Sequence, residues 1–84
     1  MNIIRLPKKF DYSFRDEIYK NIGKSNIVLD FKRTIYMDST ALGLMLMLNS
    51  KRDSIKIKLI NVNNKVWPIL KMANFDMLFK IEGM

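Results

Sequence analysis

Residues 27–48 constrain the fold of this chain more than any other segment. The segment opens at Ile27 on an unbroken apolar run, which is typical of a central strand covered on both faces. A polar stretch follows, then Asp38, Ser39 and Thr40, and directly after them an apolar helical pattern. A helix start presents free backbone N–H groups and the positive end of the helix dipole. The segment therefore predicts a strand-to-helix connection at which a serine is poised to carry a phosphate.

Strand and helix patterns alternate along the whole chain. Apolar or alternating stretches predict strands at residues 2–6, 27–31, 54–62 and 78–82, and helical spacing predicts helices at residues 13–22, 40–51 and 63–73. Such an order requires crossover connections and favours parallel strands. The sequence therefore predicts one α/β domain over residues 1–84. Its small, mostly parallel (mixed) β-sheet has βαβαβαβ order, and helices pack against it.

Local signals predict where the helices begin and end. Ser13 stands three residues before an acidic residue, as in a capping box, and Gly23 follows the first helix. Asn63 or Asn64 is expected to cap the third helix, and Asn74 is expected to close it.

The remaining patterns predict burial. The helix at 40–51 is apolar on almost all sides, which predicts a buried element with Met45 and Met47 as core side chains. The strand at 54–62 alternates apolar residues with lysines, so one of its faces is expected to be wet. Trp67 is expected to pack between helix and sheet, with anchoring of a partner as the alternative. Residues 34–38 are expected to be a connection.

Composition is that of a soluble globular protein, with 49% apolar and 27% charged residues. Cysteine and histidine are absent, which excludes disulfides, thiolate chemistry and the commonest catalytic base. The longest apolar run, 41–48, is far shorter than the roughly 20 residues that span a bilayer. Arg5, Lys8 and Lys9 interrupt any signal-peptide core. A cytoplasmic protein is therefore expected.

The formal net charge of +7 admits two interpretations. A basic surface can bind nucleic acid or an acidic membrane. The lysines are, however, spread from Lys8 to Lys80 without a dense cluster. This distribution favours an ordinary solvated surface, and neither nucleic acid nor membrane is expected as a partner.

Residues 37–43, Met-Asp-Ser-Thr-Ala-Leu-Gly, resemble the signature of STAS domains, the anti-sigma-factor antagonist family. That signature is an Asp-Ser-Ser-Gly-Leu-Gly-like box after a strand that ends in an acidic residue. Residues 6–11, 60–70 and 73–79 also match in register, so the resemblance covers nearly the whole chain. Thr40 and Ala41 replace the more common Ser-Gly, and neither change removes the acceptor hydroxyl. The family's usual first strand and last helix find no match, which favours pairing at an exposed sheet edge.

The resemblance implies a stand-alone bacterial switch protein. By position, Ser39 is the implied phosphorylation site, with Thr40 as the alternative. The unphosphorylated protein would bind an anti-sigma factor or serine kinase of the GHKL type, phosphorylation would release it, and a PP2C-type phosphatase would reset it. The implied partner-binding residues are Asp11, Asp30, Asp38, Ser39, Thr40, Leu42 and Gly43.

Each site residue also has a plain structural interpretation. Ser39 is a good helix cap, and Thr40 is a common first-turn residue. Asp38 either caps the helix or orients the nucleotide and metal of an incoming kinase. Asp30 either hydrogen-bonds the Ser39 loop or is a solvent-facing carboxylate at a strand end. Asp11 is either near the binding surface or only a turn residue.

The sequence does not predict an enzyme. It contains no Gly-rich phosphate loop, no Ser-His or Cys-His pair and no metal-ligand cluster, so no catalytic residue, metal or cofactor is expected. Two alternatives to the switch remain: a basic nucleic-acid-binding domain, and a STAS subunit of an accessory complex that is never phosphorylated. A monomer or a weak dimer is expected.

Overall fold

The computed structural model of the protein describes residues 2–49 and 57–83. In chain order the strands are β1 (Asn2–Arg5), β2 (Lys9–Phe10), β3 (Ile27–Asp30), β4 (Tyr36–Met37), β5 (Ile57–Ile60) and β6 (Lys80–Ile81). The helices are α1 (Arg15–Asn21), α2 (Ser39–Leu48) and α3 (Trp67–Met72). Short 3-10 turns precede α1 at Tyr12–Phe14 and follow α3 at Phe75–Met77. Strands and helices thus alternate in the predicted order, and two short strands are added.

The main sheet contains β1, β3, β5 and β6 in that order, and every neighbouring pair is parallel. Each crossover moves one place in the same direction across the sheet. The register pairs Ile4 with Leu29 and Leu29 with Leu59, which sets an apolar row across three strands. The predicted α/β class is confirmed, and the sheet is parallel throughout the described residues.

All three helices contribute to one core on one face of this sheet. The core joins Ile4, Leu29 and Leu59 of the sheet to helix side chains such as Leu44 and Leu70. Ile4, Leu29 and Leu59 lie in one row of the register, so their side chains share one face of the sheet, and the helix side chains that cluster with them pack on that face. The helices therefore form a single layer, and the fold has two layers.

The second face of the main sheet carries Ile3, Val28 and Lys58, which lie in one row of the register and outside the core cluster. The Lys58 side chain reaches solvent on this face and pairs with the exposed Glu82 (3.4 Å), in agreement with the predicted wet face. Residues 54–56 of that predicted strand lie outside the described residues. The apolar run from Ile27 predicted cover on both faces. Val28 is buried at 7% exposure, although the helices pack on the opposite side.

The predicted connection at residues 34–38 contains a short strand, β4, that the sequence did not predict. β2 and β4 form a separate two-stranded parallel sheet. The Lys8 carbonyl accepts from the N–H groups of Ile35 (2.9 Å) and Tyr36 (3.1 Å), and the buried Thr34 hydroxyl donates to the Pro7 carbonyl (2.9 Å). Strands of two residues are too short for a period-2 pattern to reveal them.

The ends of the helices follow their sequence signals. Gly23 after α1 has φ +91°, and Asn74 after α3 has φ +59°; both lie in the left-handed region that closes helices. The last strand is shorter than predicted, because the N–H groups of Leu78 (3.1 Å) and Phe79 (3.0 Å) donate to the Phe75 carbonyl and keep both residues in the turn before β6.

The starts of the helices depart from prediction. Ser13 does not cap α1; it lies inside the 3-10 turn, and Asp11 caps that turn instead. Asn63 caps the turn that leads into α3, since its Oδ1 accepts from the N–H groups of Lys65 (2.9 Å) and Val66 (3.3 Å). The helix itself begins later, at Trp67, which packs against the core as expected.

α2 is less buried than its apolar sequence predicts. Met45 is fully buried, as predicted, but Met47 is 41% exposed and Leu46 is 47% exposed. The prediction of Met47 as a core residue is therefore wrong. An amphipathic pattern is invisible here because the outward positions of α2 also carry apolar residues. Of the helices in the described residues, none has the length and hydrophobicity to cross a membrane.

Candidate functional site

The short sheet of β2 and β4 brings together Asp11 and Asp38, two of the residues predicted to bind a partner. Its register pairs Phe10 with Met37, and both strands run in the same direction. Asp11 and Asp38 directly follow these paired residues, so both carboxylates lie at one edge of the sheet. The negative charge of Asp11 works to raise the pKa of Asp38, as expected of neighbouring carboxylates.

Asp38 is the N-terminal cap of α2. Its Oδ1 accepts from the backbone N–H groups of Thr40 (3.0 Å) and Ala41 (3.3 Å) and also from the Thr40 hydroxyl. The hydroxyl hydrogen bond is the main reason why the pKa of Asp38 lies below its ordinary value. The carboxylate is therefore charged at neutral pH and satisfies helix donors that would otherwise lack a partner.

Asp11, directly after β2, caps the turn that follows it in the same way. Its Oδ1 accepts from the N–H (3.0 Å) and the hydroxyl of Ser13, and the hydroxyl contact is the largest cause that lowers the pKa of Asp11. Each short strand therefore ends in an aspartate that caps the turn after it. The interpretation of Asp11 as a turn residue is correct, and its place near a binding surface stays a prediction.

Ser39 is the first residue of α2 and does not cap it, because Asp38 does. Its side chain is exposed and forms no hydrogen bond with the described residues. The Thr40 hydroxyl is also exposed, but it donates to Asp38. Of the two candidate acceptors, only Ser39 thus presents a hydroxyl without an intramolecular partner in the described structure.

Gly43 continues the exposed surface one helical turn beyond Ser39. Residues four apart share a helix face, so Ser39 and Gly43 lie one above the other. A Cβ at Gly43 would meet no atom within 4 Å, which shows that the backbone here opens onto solvent. Leu42, the other predicted partner-binding residue of α2, is half-buried and packs against the core.

Asp30 does not hydrogen-bond the Ser39 loop. It ends β3 in the main sheet, where its Oδ1 accepts from the Asn61 side chain and from the Lys32 N–H, both at 2.9 Å. Partial burial works to raise the pKa of Asp30, but the two hydrogen bonds and the charges of Arg5 and Lys32 outweigh it and lower that pKa. Asp30 therefore belongs to a different cluster from Asp11 and Asp38.

Two exposed tyrosines frame the Asp11–Asp38 edge, and the sequence did not single them out. Tyr12 follows Asp11, with the Arg15 guanidinium 4.9 Å from its ring centroid. Tyr36 precedes Asp38 by two residues, and the Lys9 ammonium lies 5.6 Å from its ring centroid. The sequence could have indicated that Tyr36 is exposed only through its place next to the buried Met37, and that inference requires the short strand to be known.

Among residues 2–49 and 57–83, no group of three or more acidic side chains could hold a metal ion.

Comparisons with known proteins show the family and the fold. The family model of the STAS domain matches residues 4–83. A STAS-domain containing protein of Pseudomonas aeruginosa (strain UCBPP-PA14) is 34% identical over 86 residues, covering 94% of this chain and 85% of that protein.

A crystal structure from Thermotoga maritima, described as a "putative anti-sigma factor antagonist", has a TM-score of 0.74 at 21% identity. The match covers 98% of this chain and 80% of that chain, and it shows the shared fold. The family match over nearly the whole chain confirms the resemblance that the Asp38-Ser39-Thr40 box suggested. This chain belongs to the STAS domain family.

Proposed function

We propose that this protein is a phosphorylation-switched interaction module of the anti-sigma-factor antagonist type. Unphosphorylated, it binds a regulatory partner through the Asp11–Asp38 edge and the exposed face of α2; phosphorylated on Ser39, it releases that partner. The observation that carries the proposal is the hydroxyl of Ser39, which is exposed and unbonded at the start of α2, while Asp38 holds the neighbouring Thr40 hydroxyl.

The position of Ser39 suits a reversible modification. Its hydroxyl stabilises nothing in the described structure, so a kinase can use it without breaking an intramolecular hydrogen bond. A phosphoserine brings about −1.5 to −2 charge at neutral pH. The positive end of the α2 dipole lies beside it and favours that charge by roughly 0.3–1 kcal/mol. The modified domain therefore keeps its fold and changes only its surface.

The same charge alters the docking surface sharply. Asp38 and Asp11 are already ionised there, so the phosphate completes a strongly negative edge. A partner shaped for a neutral hydroxyl would have to bury an unpaired dianion, which costs several kcal/mol. The module acts by binding rather than by catalysis. Its proposed partners are an anti-sigma factor or serine kinase of the GHKL type and a PP2C-type phosphatase.

The decisive experiment incubates the protein with ATP and GHKL-type kinases cloned from the source genome, and maps the modified residue by mass spectrometry. We expect a single phosphate on Ser39, none on Ser39→Ala, and normal labelling of the matched control Thr40→Val. Labelling at Thr40, or undiminished labelling of Ser39→Ala, would contradict the proposal. If no phosphorylated form occurs in the source cells either, the protein is instead a STAS subunit that is never phosphorylated.

A further inference from the structure

Exposed basic side chains that are far apart in the sequence lie side by side in the fold. Residues 5–9 and 30–37 run parallel, because β1 pairs with β3 and β2 pairs with β4. The Leu6 N–H donates to the Asp30 carbonyl at 3.0 Å, and the Thr34–Pro7 hydrogen bond joins the two segments between the sheets. We call the cations on these segments the basic strip: Arg5, Lys8, Lys9, Lys32 and Arg33.

The cations of the basic strip form no ion pair within residues 2–49 and 57–83, whereas Lys20, Lys58 and Lys71 do. Arg5, Lys32 and Arg33 line one side of a pocket of about 240 Å³ at the carboxyl end of the main sheet. Asp30 is the single carboxylate that the described residues contribute to that lining, and it already accepts hydrogen bonds from Asn61 and the Lys32 N–H. The pocket therefore has an excess of positive charge.

Exposed apolar surface accompanies these charges. Ile35 is 59% exposed and Tyr36 is 46% exposed, and both lie between Arg33 and Asp38. The Lys9 ammonium is stacked on the Tyr36 ring, so charge and apolar surface alternate along the strip. Adjacent exposed apolar residues rimmed by charge are typical of surfaces that bind proteins.

We propose that the basic strip docks an acidic segment of a protein partner that also carries apolar side chains. Its acidic residues would pair with Arg5, Lys32 and Arg33, and its apolar residues would cover Ile35 and Tyr36. The last cation of the strip, Arg33, lies six residues before Ser39 in the sequence, and the exposed Tyr36 lies three before it. This inference therefore rests on the proposed function in one respect, since it gives the chemistry of the same partner.

The charge distribution favours an acidic peptide over nucleic acid. A nucleic-acid backbone carries uniform negative charge along its length. The basic strip leads at one end to the carboxylates of Asp11 and Asp38 and has Asp30 in its pocket. A polyanion following the strip would meet these carboxylates, whereas a peptide can place neutral or basic residues there.

The test uses a short synthetic peptide rich in Glu and Leu, titrated into isotope-labelled protein and followed by NMR. We expect amide shifts confined to residues 5–9 and 30–37, and an affinity that falls with added salt. The variant Lys32→Glu/Arg33→Glu should bind at least roughly tenfold more weakly, because two favourable pairs become repulsive. The variant Lys8→Glu/Lys9→Glu should also bind the peptide more weakly than wild type. It replaces the first variant in the test if that one fails to fold.

The matched control is Lys24→Glu/Lys80→Glu, which changes the net charge equally at exposed positions away from the strip and should retain the wild-type affinity. An equal loss in this control would mean bulk attraction only and would overturn the proposal. Three other results would also overturn the proposal: equal binding of a peptide with Gln in place of Glu, tighter binding of single-stranded DNA of matched charge, and no binding of the peptide at all. Because no phosphorylation is involved, these results stand apart from the outcome at Ser39.

Discussion

Replacing Gly43 with alanine should stabilise the free domain. Gly43 lies inside α2 (Ser39–Leu48), where a new Cβ would meet no atom within 4 Å. Glycine in a helix interior is less favourable than alanine by about 0.8–1 kcal/mol. For a domain of this size, 1 kcal/mol shifts the melting temperature by roughly 4–8 °C. We therefore expect Gly43→Ala to raise the melting temperature by about that amount in a thermal scan followed by circular dichroism.

Gly23→Ala provides a matched control for the same substitution. Its added Cβ would also meet nothing within 4 Å, but Gly23 has φ +91°. An L side chain in this left-handed region costs roughly 1–2 kcal/mol. The melting temperature should therefore fall. A rise in both variants, or a fall in both, would show that helix propensity and backbone strain do not govern these two positions.

The same variant also probes the docking surface. A partner that covers Ser39 must pass over the open backbone at Gly43, one turn further along α2. A methyl group there should weaken binding of the purified partner in calorimetry, although the free protein is more stable. Gly23→Ala should keep the wild-type affinity. Unchanged affinity of Gly43→Ala would mean that the partner does not approach this part of α2.

Four further outcomes follow from the geometry around Ser39. Phosphorylation should lower partner affinity by roughly a hundredfold or more, since an unmatched buried charge costs several kcal/mol. Ser39→Ala should bind constitutively in the same calorimetry, and equal affinity of all three forms would refute the switch. Ser39→Glu should melt within a few degrees of wild type, because the Ser39 side chain has no hydrogen bond to lose in the described structure. Asp38→Asn should remove a pH-dependent stabilisation. The folded pKa of Asp38 is lowered, so its charge stabilises the fold fully above the ordinary value of 3.8, and this contribution disappears as the pH falls through the folded pKa. The stability difference between Asp38→Asn and wild type in urea titrations should therefore shrink in acid.

The sequence alone determined the order of the main elements and placed Ser39 at the start of a helix. The apolar run from Ile27 and the box at Asp38 required a strand followed by a helix, and both are present. Gly23 and Asn74 marked helix ends correctly because a left-handed residue is a strictly local requirement. Such features depend on neighbours in the chain, and a single sequence contains that information.

The tertiary structure decided which polar groups meet. Asp30 and Asp38 both follow apolar strand segments, and the sequence placed both near Ser39. They belong to different sheets, so Asp30 bonds Asn61 instead. Asp11 became a neighbour of Asp38 only through the pairing of two strands of two residues each, which no local pattern reveals.

The charge of the chain gives the clearest contrast. From the sequence, the lysines are scattered and favour an ordinary solvated surface. Parallel pairing instead places residues 5–9 beside residues 30–37, and a basic strip results from residues more than twenty positions apart. Composition fixed the net charge of +7, but only strand register could decide where that charge collects, because register is set by packing over the whole core.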